Sequence, residues 1–424
     1  MADDTRSFTK GLNRREFLYA VGLVGGGLAL AACQPTTTAG PSVPSGQPAR
    51  GGPPSGEPIR IGAAVSTTGS NGKVGEYQYR AFLLWEDQVN QRGGLLGRPV
   101  KLTILDDQSD PATGARLYEK LITEDKVDLV LGPYASNVTL AVSQVTEKYR
   151  YPMIAAGASA SEIWQRGFRY IFGIYSVAET YFNGLIELAA KQGYKTVAII
   201  FEDTVFPRAT AQGAAEEVKK RGMQVVFMES YPARVSDVSA LLSKIKPLNP
   251  DVILGGSYLP DSVLITRQAK ELDINPKIWG FSVGTATPDY GQNLGRDANY
   301  IFGPSMWEPQ LKTKDNQAFF EAYMKKWNAE PDYHSATGYA ACQVTEEAVK
   351  RVGSLDREKL RDMLAQLDME TVLPGKYKVD PNTGVSVGHI AVTIQWQQGQ
   401  KQIVYPEQYA TARPILPDPG WRAR

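Results

Sequence analysis

Two short loops carry the residues best placed for chemistry. Gly132-Pro133-Tyr134-Ala135-Ser136-Asn137 follows the apolar run 127–131 and opens a helical pattern. Gly157-Ala158-Ser159-Ala160-Ser161 follows Met153-Ile154-Ala155-Ala156 and opens another. Free N–H groups and the helix dipole at such starts favour an anion such as a carboxylate. Ser136 and Ser159 would serve equally as plain helix caps. Two such loops on adjacent strands leave both readings open, a shared anion site or two caps. Other clusters carry less. Asp106, Asp107 and Asp110 offer hard oxygen ligands, but their spacing is not that of a calcium loop and Pro111 follows, which fits a strand-end turn and helix cap. Gly255-Gly256-Ser257-Tyr258-Leu259 lacks the closing glycine of a nucleophile elbow, and only His334 and His389 could act as its base. Gly69 to Lys73 is too short for a phosphate loop. Arg208 could meet an anion or sit in solvent, and Cys342 reads as a small buried hydrophobe. The expectation is a binding protein rather than an enzyme, with no cofactor and no metal.

Composition narrows the classes further. The chain has 424 residues, 42% hydrophobic and 21% charged, enough for two lobes with cores of their own. Its 46 basic residues stand against 45 acidic ones, so no field gathers nucleic acid. Two cysteines, Cys33 and Cys342, exclude a disulfide framework. Arg14-Arg15-Glu16-Phe17-Leu18 resembles a twin-arginine export signal. It opens 16 weakly apolar residues, Phe17 to Ala32, short of the roughly 20 of a spanning helix. Leu30-Ala31-Ala32-Cys33 resembles a lipobox, which implies cleavage before Cys33 and lipid on its sulfur. Residues 1–32 are then a signal peptide, and 33–57, rich in Pro, Gly, Ser and Thr, a flexible tether. The body is expected in the periplasm or at the outer face of the cytoplasmic membrane, lipid-anchored.

From Pro58 onward strand-like and helix-like runs alternate. Ile59–Val65, 100–105, 127–131 and 153–156 read as strands; Leu117, Tyr118, Leu121 and Ile122 form a helical stripe. The alternation restarts past Tyr175 with strands at 197–201, 224–228 and 252–254. This is α/β, with right-handed βαβ units in two parallel-sheet lobes. Ligands of such sheets bind at the carboxyl ends of the strands, where the two loops lie.

Asn90-Gln91-Arg92-Gly93-Gly94-Leu95-Leu96-Gly97-Arg98-Pro99-Val100, then Asp106-Asp107-Gln108-Ser109-Asp110-Pro111, then Asp125-Lys126-Val127-Asp128-Leu129-Val130-Leu131-Gly132-Pro133, then Asp237-Val238-Ser239-Ala240-Leu241-Leu242 follow in order. Together they resemble the leucine/isoleucine/valine-type solute-binding proteins of ATP-binding-cassette (ABC) importers, over about 58–403. The resemblance implies two Rossmann-like lobes joined by a three-strand hinge, the type I periplasmic-binding fold, closing on a ligand. It places crossovers near 172–176, 302–305 and 370–374. Lobe one becomes 58–174 plus 306–372, lobe two 175–305 plus 373–403, and 404–424 a tail wrapped on the surface. It implies a small carboxylate-bearing ligand and an ABC permease as partners. A regulatory lipoprotein of the same fold, acting on a protein partner, is the alternative.

The resemblance also carries site residues. Ser136, Gly157, Ala158 and Ser159 would hold the ligand carboxylate. Phe206 and Tyr258 would be the aromatic residues of lobe two that close over it. The family's acidic partner for a ligand ammonium falls near Ser282, and no carboxylate lies between Asp273 and Asp289. A buried ammonium without a counter-charge is costly. The expected ligand is therefore a hydrophobic amino acid only if Glu202 or Asp203 turns inward, and otherwise an aromatic or aliphatic acid.

Overall fold

The computed structural model describes residues 53–424. The arginine pair, the lipobox with Cys33 and most of the tether lie outside them. Among the described residues no helix is long and apolar enough to cross a membrane.

The first lobe is built on parallel strands β1 (Ile59–Val65), β2 (Val100–Asp106), β3 (Leu129–Val130), β4 (Met153–Ala155) and β5 (Ile171–Gly173). The pairing runs β2-β1-β3 and β4-β5, and the Gly132 N–H donates to the Ile154 carbonyl to join the two sets. Helices α1 (Gly72–Gln91), α2 (Pro111–Thr123) and α3 (Ser136–Tyr149) alternate with these strands. The α2 start follows local rules: Asp110 Oδ1 accepts the Thr113 N–H at 2.7 Å and Pro111 takes the first helical turn. Its stripe Leu117, Tyr118, Leu121, Ile122 is buried as the 3.6-residue period requires. Asp106 and Asp107 bind Thr67, Thr68, Ser66 and Ser109 at the strand-end turn, and no cluster able to hold a metal occurs among the described residues.

The second lobe has seven strands in the order β12-β11-β10-β9-β8-β6-β7. These are β6 (Thr196–Glu202), β7 (Gln224–Tyr231), β8 (Val252–Gly256), β9 (Ile278–Phe281), β10 (Phe302–Ser305), β11 (Val392–Gln397) and β12 (Gln400–Tyr405). The first five run parallel and the last two form an antiparallel hairpin on β10. Val197 to Ile200 are fully buried, as strands covered on both faces must be. The helices are α4 (Asn183–Lys191), α5 (Val205–Lys220), α6 (Ser239–Ile245), α7 (Leu259–Glu271) and α8 (Pro288–Leu294). The chain then returns to the first lobe for α9 (Asn316–Trp327), α10 (Tyr333–Val352) and α11 (Arg357–Gln366), with α10 packed along α1.

The three passages between lobes meet at one side chain. His389 Nδ1 lies 3.2 Å from the Ser176 N–H and 2.9 Å from its hydroxyl, and His389 Nε2 lies 3.0 Å from the Met306 carbonyl. Ser176 follows β5, Met306 follows β10 and His389 precedes β11. The third passage is therefore at 389–391, not at 370–374. Residues 370–374 stay with lobe one, because the Val372 N–H donates to Gln343 of α10. The segment after them folds back as a hairpin whose Gly384 carbonyl accepts from Gly173 of β5. Residues 302–305, expected as the second crossover, are strand β10, and the chain passes to lobe one just after them, at Met306. The tail starts after Tyr405 and packs along lobe two. There Trp421 is buried against Trp279, its indole N–H donates to the Ile274 carbonyl, and Arg424 pairs with Asp418 in a buried contact.

Candidate functional site

The carboxyl ends of β3 and β4 face those of β6, β8 and β9 across the gap between lobes. The void there holds about 10 Å³, room for roughly one water, and is lined by Tyr134, Ala135, Ser136, Gly157 and Tyr333 from lobe one, and Tyr181, Phe206, Tyr258 and Val283 from lobe two. Five of the nine are aromatic and none carries a charge. The void is far below the roughly 300–1,000 Å³ of common ligand pockets, so the lobes stand closed on one another and a ligand needs them to part.

On the lobe-one side the two loops meet. Ser136 is not a cap: it is the first residue of α3, and its Oγ accepts from the Ser159 N–H at 3.2 Å and the Ala160 N–H at 3.3 Å. Its own hydrogen is left to donate. Ser159 is buried with its hydroxyl 3.0 Å from that of Tyr181, and Ala158 is buried between. Gly157 cannot be larger: a Cβ there would fall 2.7 Å from Gln78 Oε1 and 2.7 Å from the Tyr134 carbonyl oxygen. Burial pushes the Tyr181 and Tyr258 phenols above their ordinary range, so they stay neutral.

On the lobe-two side, Phe206 packs edge-on against Tyr181 at 5.2 Å and tilted against Tyr258 at 5.6 Å between ring centres. Ser282 does not reach the void. It is fully buried, with its hydroxyl donating to the Ser257 carbonyl at 2.9 Å and accepting the Ser257 N–H at 2.9 Å. The residue that faces the ligand space after β9 is Val283. Asp203 does not turn inward either: it is half exposed and paired with Arg208. Glu202 is buried, with Thr204 donating to it at 2.7 Å, and burial lifts its carboxyl above the usual range. Asp261, in the first turn of α7, is buried beside it and takes the Tyr231 hydroxyl; burial drives it up to about 8, with Glu202 adding to the rise. Two carboxyls thus stand behind Tyr258, the Asp261 one neutral near pH 7, and neither lines the void.

Tyr134, Tyr181, Tyr333 and Val283 were not legible as site residues. Tyr134 lay in the quoted loop, from which only Ser136 was singled out. Tyr333 follows the Asp332 cap of α10, almost 200 residues away. A direct bridge between lobes accompanies the cavity: the Tyr77 hydroxyl of α1 donates to Asp289 Oδ2 of α8 at 2.6 Å, and Lys73 Nζ lies 3.3 Å from Asp289 Oδ1.

Comparison with known proteins agrees with this architecture. The sequence profile described as "Periplasmic binding protein" matches residues 58–401. The Leu/Ile/Val-binding protein homolog 7 of Brucella suis biovar 1 (strain 1330) is 28% identical over 385 residues, covering 87% of this chain and 96% of that one. The branched-chain amino acid substrate-binding protein LivJ of Streptococcus pneumoniae, solved with isoleucine, superposes with a TM-score of 0.74 at 23% identity, over 85% of this chain and 100% of that one. A solute-binding protein from R. palustris, solved with benzoate, gives 0.74 at 18% identity, over 86% and 98%. At those identities the two structures speak for the fold alone: two α/β lobes on a three-passage hinge. The profile match across most of the body shows that this chain belongs to the periplasmic binding protein family.

Proposed function

We propose that this protein captures a small carboxylate-bearing molecule outside the cytoplasm and delivers it to an ABC importer, acting as a receptor and not as an enzyme. The observation that carries the reading is the uncharged aromatic void between the lobes. Ser136 and Gly157 form its polar end, where the Ser136 hydroxyl hydrogen and the Ala158 N–H would be the donors for a carboxylate, the Ser159 and Ala160 N–H groups being given to Ser136 Oγ and the Ser159 hydroxyl standing behind with Tyr181. Phe206, Tyr258 and Tyr333 form its apolar end. Without an ionised acid lining the space, an ammonium has no counter-charge, which favours an aromatic or aliphatic acid over an α-amino acid. Relatives solved with isoleucine and with benzoate are compatible with either class.

The hydroxyl bond to the carboxylate would contribute about 1.5–3 kcal/mol. Calorimetry with benzoate, phenylpropionate, phenylalanine and isoleucine is expected to find a ligand among them. Ser136→Ala should weaken it about tenfold without unfolding the protein. Unchanged affinity in that variant would place the carboxylate elsewhere. The lipobox assigns the membrane attachment to Cys33. Cys33→Ser should accordingly move the protein from the membrane to the soluble fraction or leave an unprocessed precursor, and normal membrane retention would refute the anchor.

A further inference from the structure

Behind the lobe-one wall of the void lies a buried chain of three groups that capture of a carboxylate does not use. Asp332, fully buried, caps α10: its Oδ1 accepts the His334 N–H at 3.0 Å and the Ser335 N–H at 3.1 Å. Its Oδ2 lies 2.7 Å from His334 Nδ1. His334 Nε2 lies 3.4 Å from the Tyr134 hydroxyl, and Tyr134 lines the void. Tyr333 stacks on the imidazole at 3.8 Å and lines the same void. The carboxylate cannot rotate away, because two backbone N–H groups hold its other oxygen. The ring is held by the Asp332 contact at Nδ1 and by Tyr333 packed on its face.

This geometry fixes the direction of each hydrogen bond. A carboxylate oxygen only accepts, so the imidazole hydrogen sits on Nδ1. In the neutral ring the bond made by one nitrogen sets the state of the other, and Nε2 then keeps its lone pair. Tyr134 then donates to Nε2, and its oxygen is left with only lone pairs for any further partner. We propose that Asp332 and His334 set Tyr134 as a hydrogen-bond acceptor toward the ligand, so that the bound acid must bring a hydroxyl or phenol as donor. The inference rests on the reading of the void as an acid receptor and narrows it to hydroxylated acids. A site built to pair a ligand hydroxyl rejects the analogue that lacks it, because the buried partner is then left unpaired.

The chain has only two histidines, so nitrogen-15 spectra of its imidazoles read the relay directly, with His389→Gln as the assignment control. His334 is expected protonated at Nδ1 and bare at Nε2. Binding is then compared for para-hydroxybenzoate against benzoate and for gamma-hydroxybutyrate against butyrate. The hydroxylated member of at least one pair should bind about tenfold tighter, and Tyr134→Phe should erase the difference. Asp332→Asn keeps the shape of the cap but presents an amide hydrogen to Nδ1. That moves the imidazole hydrogen to Nε2 and turns Tyr134 into a donor. The preference should disappear together with the swap in the spectrum. A wild-type His334 protonated at Nε2 overturns the relay, as does equal affinity within both pairs or a preference that survives both variants. Failure of all four acids to bind would remove the acid-receptor reading and the donor requirement with it, whereas a wrong tautomer alone removes only the relay.

Discussion

Replacing Lys401 with Met is expected to destabilise the protein by about 3–5 kcal/mol, the usual cost of stripping one partner from a buried ion pair. Lys401 on β12 and Glu308 just past the second passage are both buried, with Nζ 3.1 Å from Oε2 and 3.3 Å from Oε1. The ammonium also donates to the Ala286 carbonyl at 2.7 Å, in the turn that carries Val283 into the ligand void. Burial raises the Glu308 carboxyl above its ordinary range even with Lys401 beside it. Once alone it takes up a proton instead of holding an uncompensated charge. A carboxyl whose folded pKa is raised gives stability that is lost as pH rises through that value. The deficit of Lys401→Met should therefore be smallest in acid and grow toward neutral pH. The double variant with Glu308→Leu should recover most of the loss, because two apolar side chains carry no desolvation cost. Urea unfolding across pH measures both. A single variant within about 1 kcal/mol of wild type at pH 8 would mean that the pair contributes no net stability.

The parts of the fold that repeat locally were legible in the sequence, and the parts that depend on pairing across distance were not. The α2 stripe and the strands β1, β2, β6 and β8 show their period within a single window. Strands β5 and β9 have three and four residues, too short for any period to emerge, and β3 and β4, shorter still or as short, were legible only as apolar runs at 127–131 and 153–156. The hairpin after residue 374 reads as polar loop, yet Gly384 binds β5 and keeps the segment with lobe one. The site divides the same way. Ser136, Gly157, Phe206 and Tyr258 sit past strand ends, where the topology brings residues to the void, whereas Ser159 stays behind its wall with Tyr181. Ser282 also sits past a strand end, but its hydroxyl is committed to Ser257, and one position further Val283 points the other way. No local pattern announces that commitment. Nor could one announce Tyr333, which reaches the void only because α10 packs along α1.

The hinge should weaken in mild acid, and His389 gives the sign. Its Nε2–H donates to the Met306 carbonyl, so Nδ1 must accept from Ser176, and only the neutral ring satisfies both passages. Burial pushes the imidazole down to about 4 from its ordinary 6.5, only partly offset by the Met306 bond. Above pH 6.5 the folded and unfolded rings are both neutral and the contribution is fully present. Between about 6.5 and 4 the unfolded chain binds a proton that the folded one refuses, so stability falls as pH falls, by up to about 3 kcal/mol in all. Protonation puts a hydrogen on Nδ1 facing the Ser176 N–H, a donor against a donor. The first passage should then part from the third before either lobe unfolds. His389→Gln keeps a donor for Met306 and an acceptor for Ser176 but cannot titrate. The difference in unfolding free energy between wild type and this variant isolates the one group from every carboxylate that titrates nearby. It should change by about 1.4 kcal/mol per pH unit across that window and be flat above pH 7. Hydrogen exchange at Ser176 should rise relative to the sheet cores over the same range in wild type and not in the variant. A flat difference from pH 7 to pH 4 would mean that His389 takes its proton inside the fold as readily as in water, and the pin between the three passages would then be packing and not this pair of hydrogen bonds.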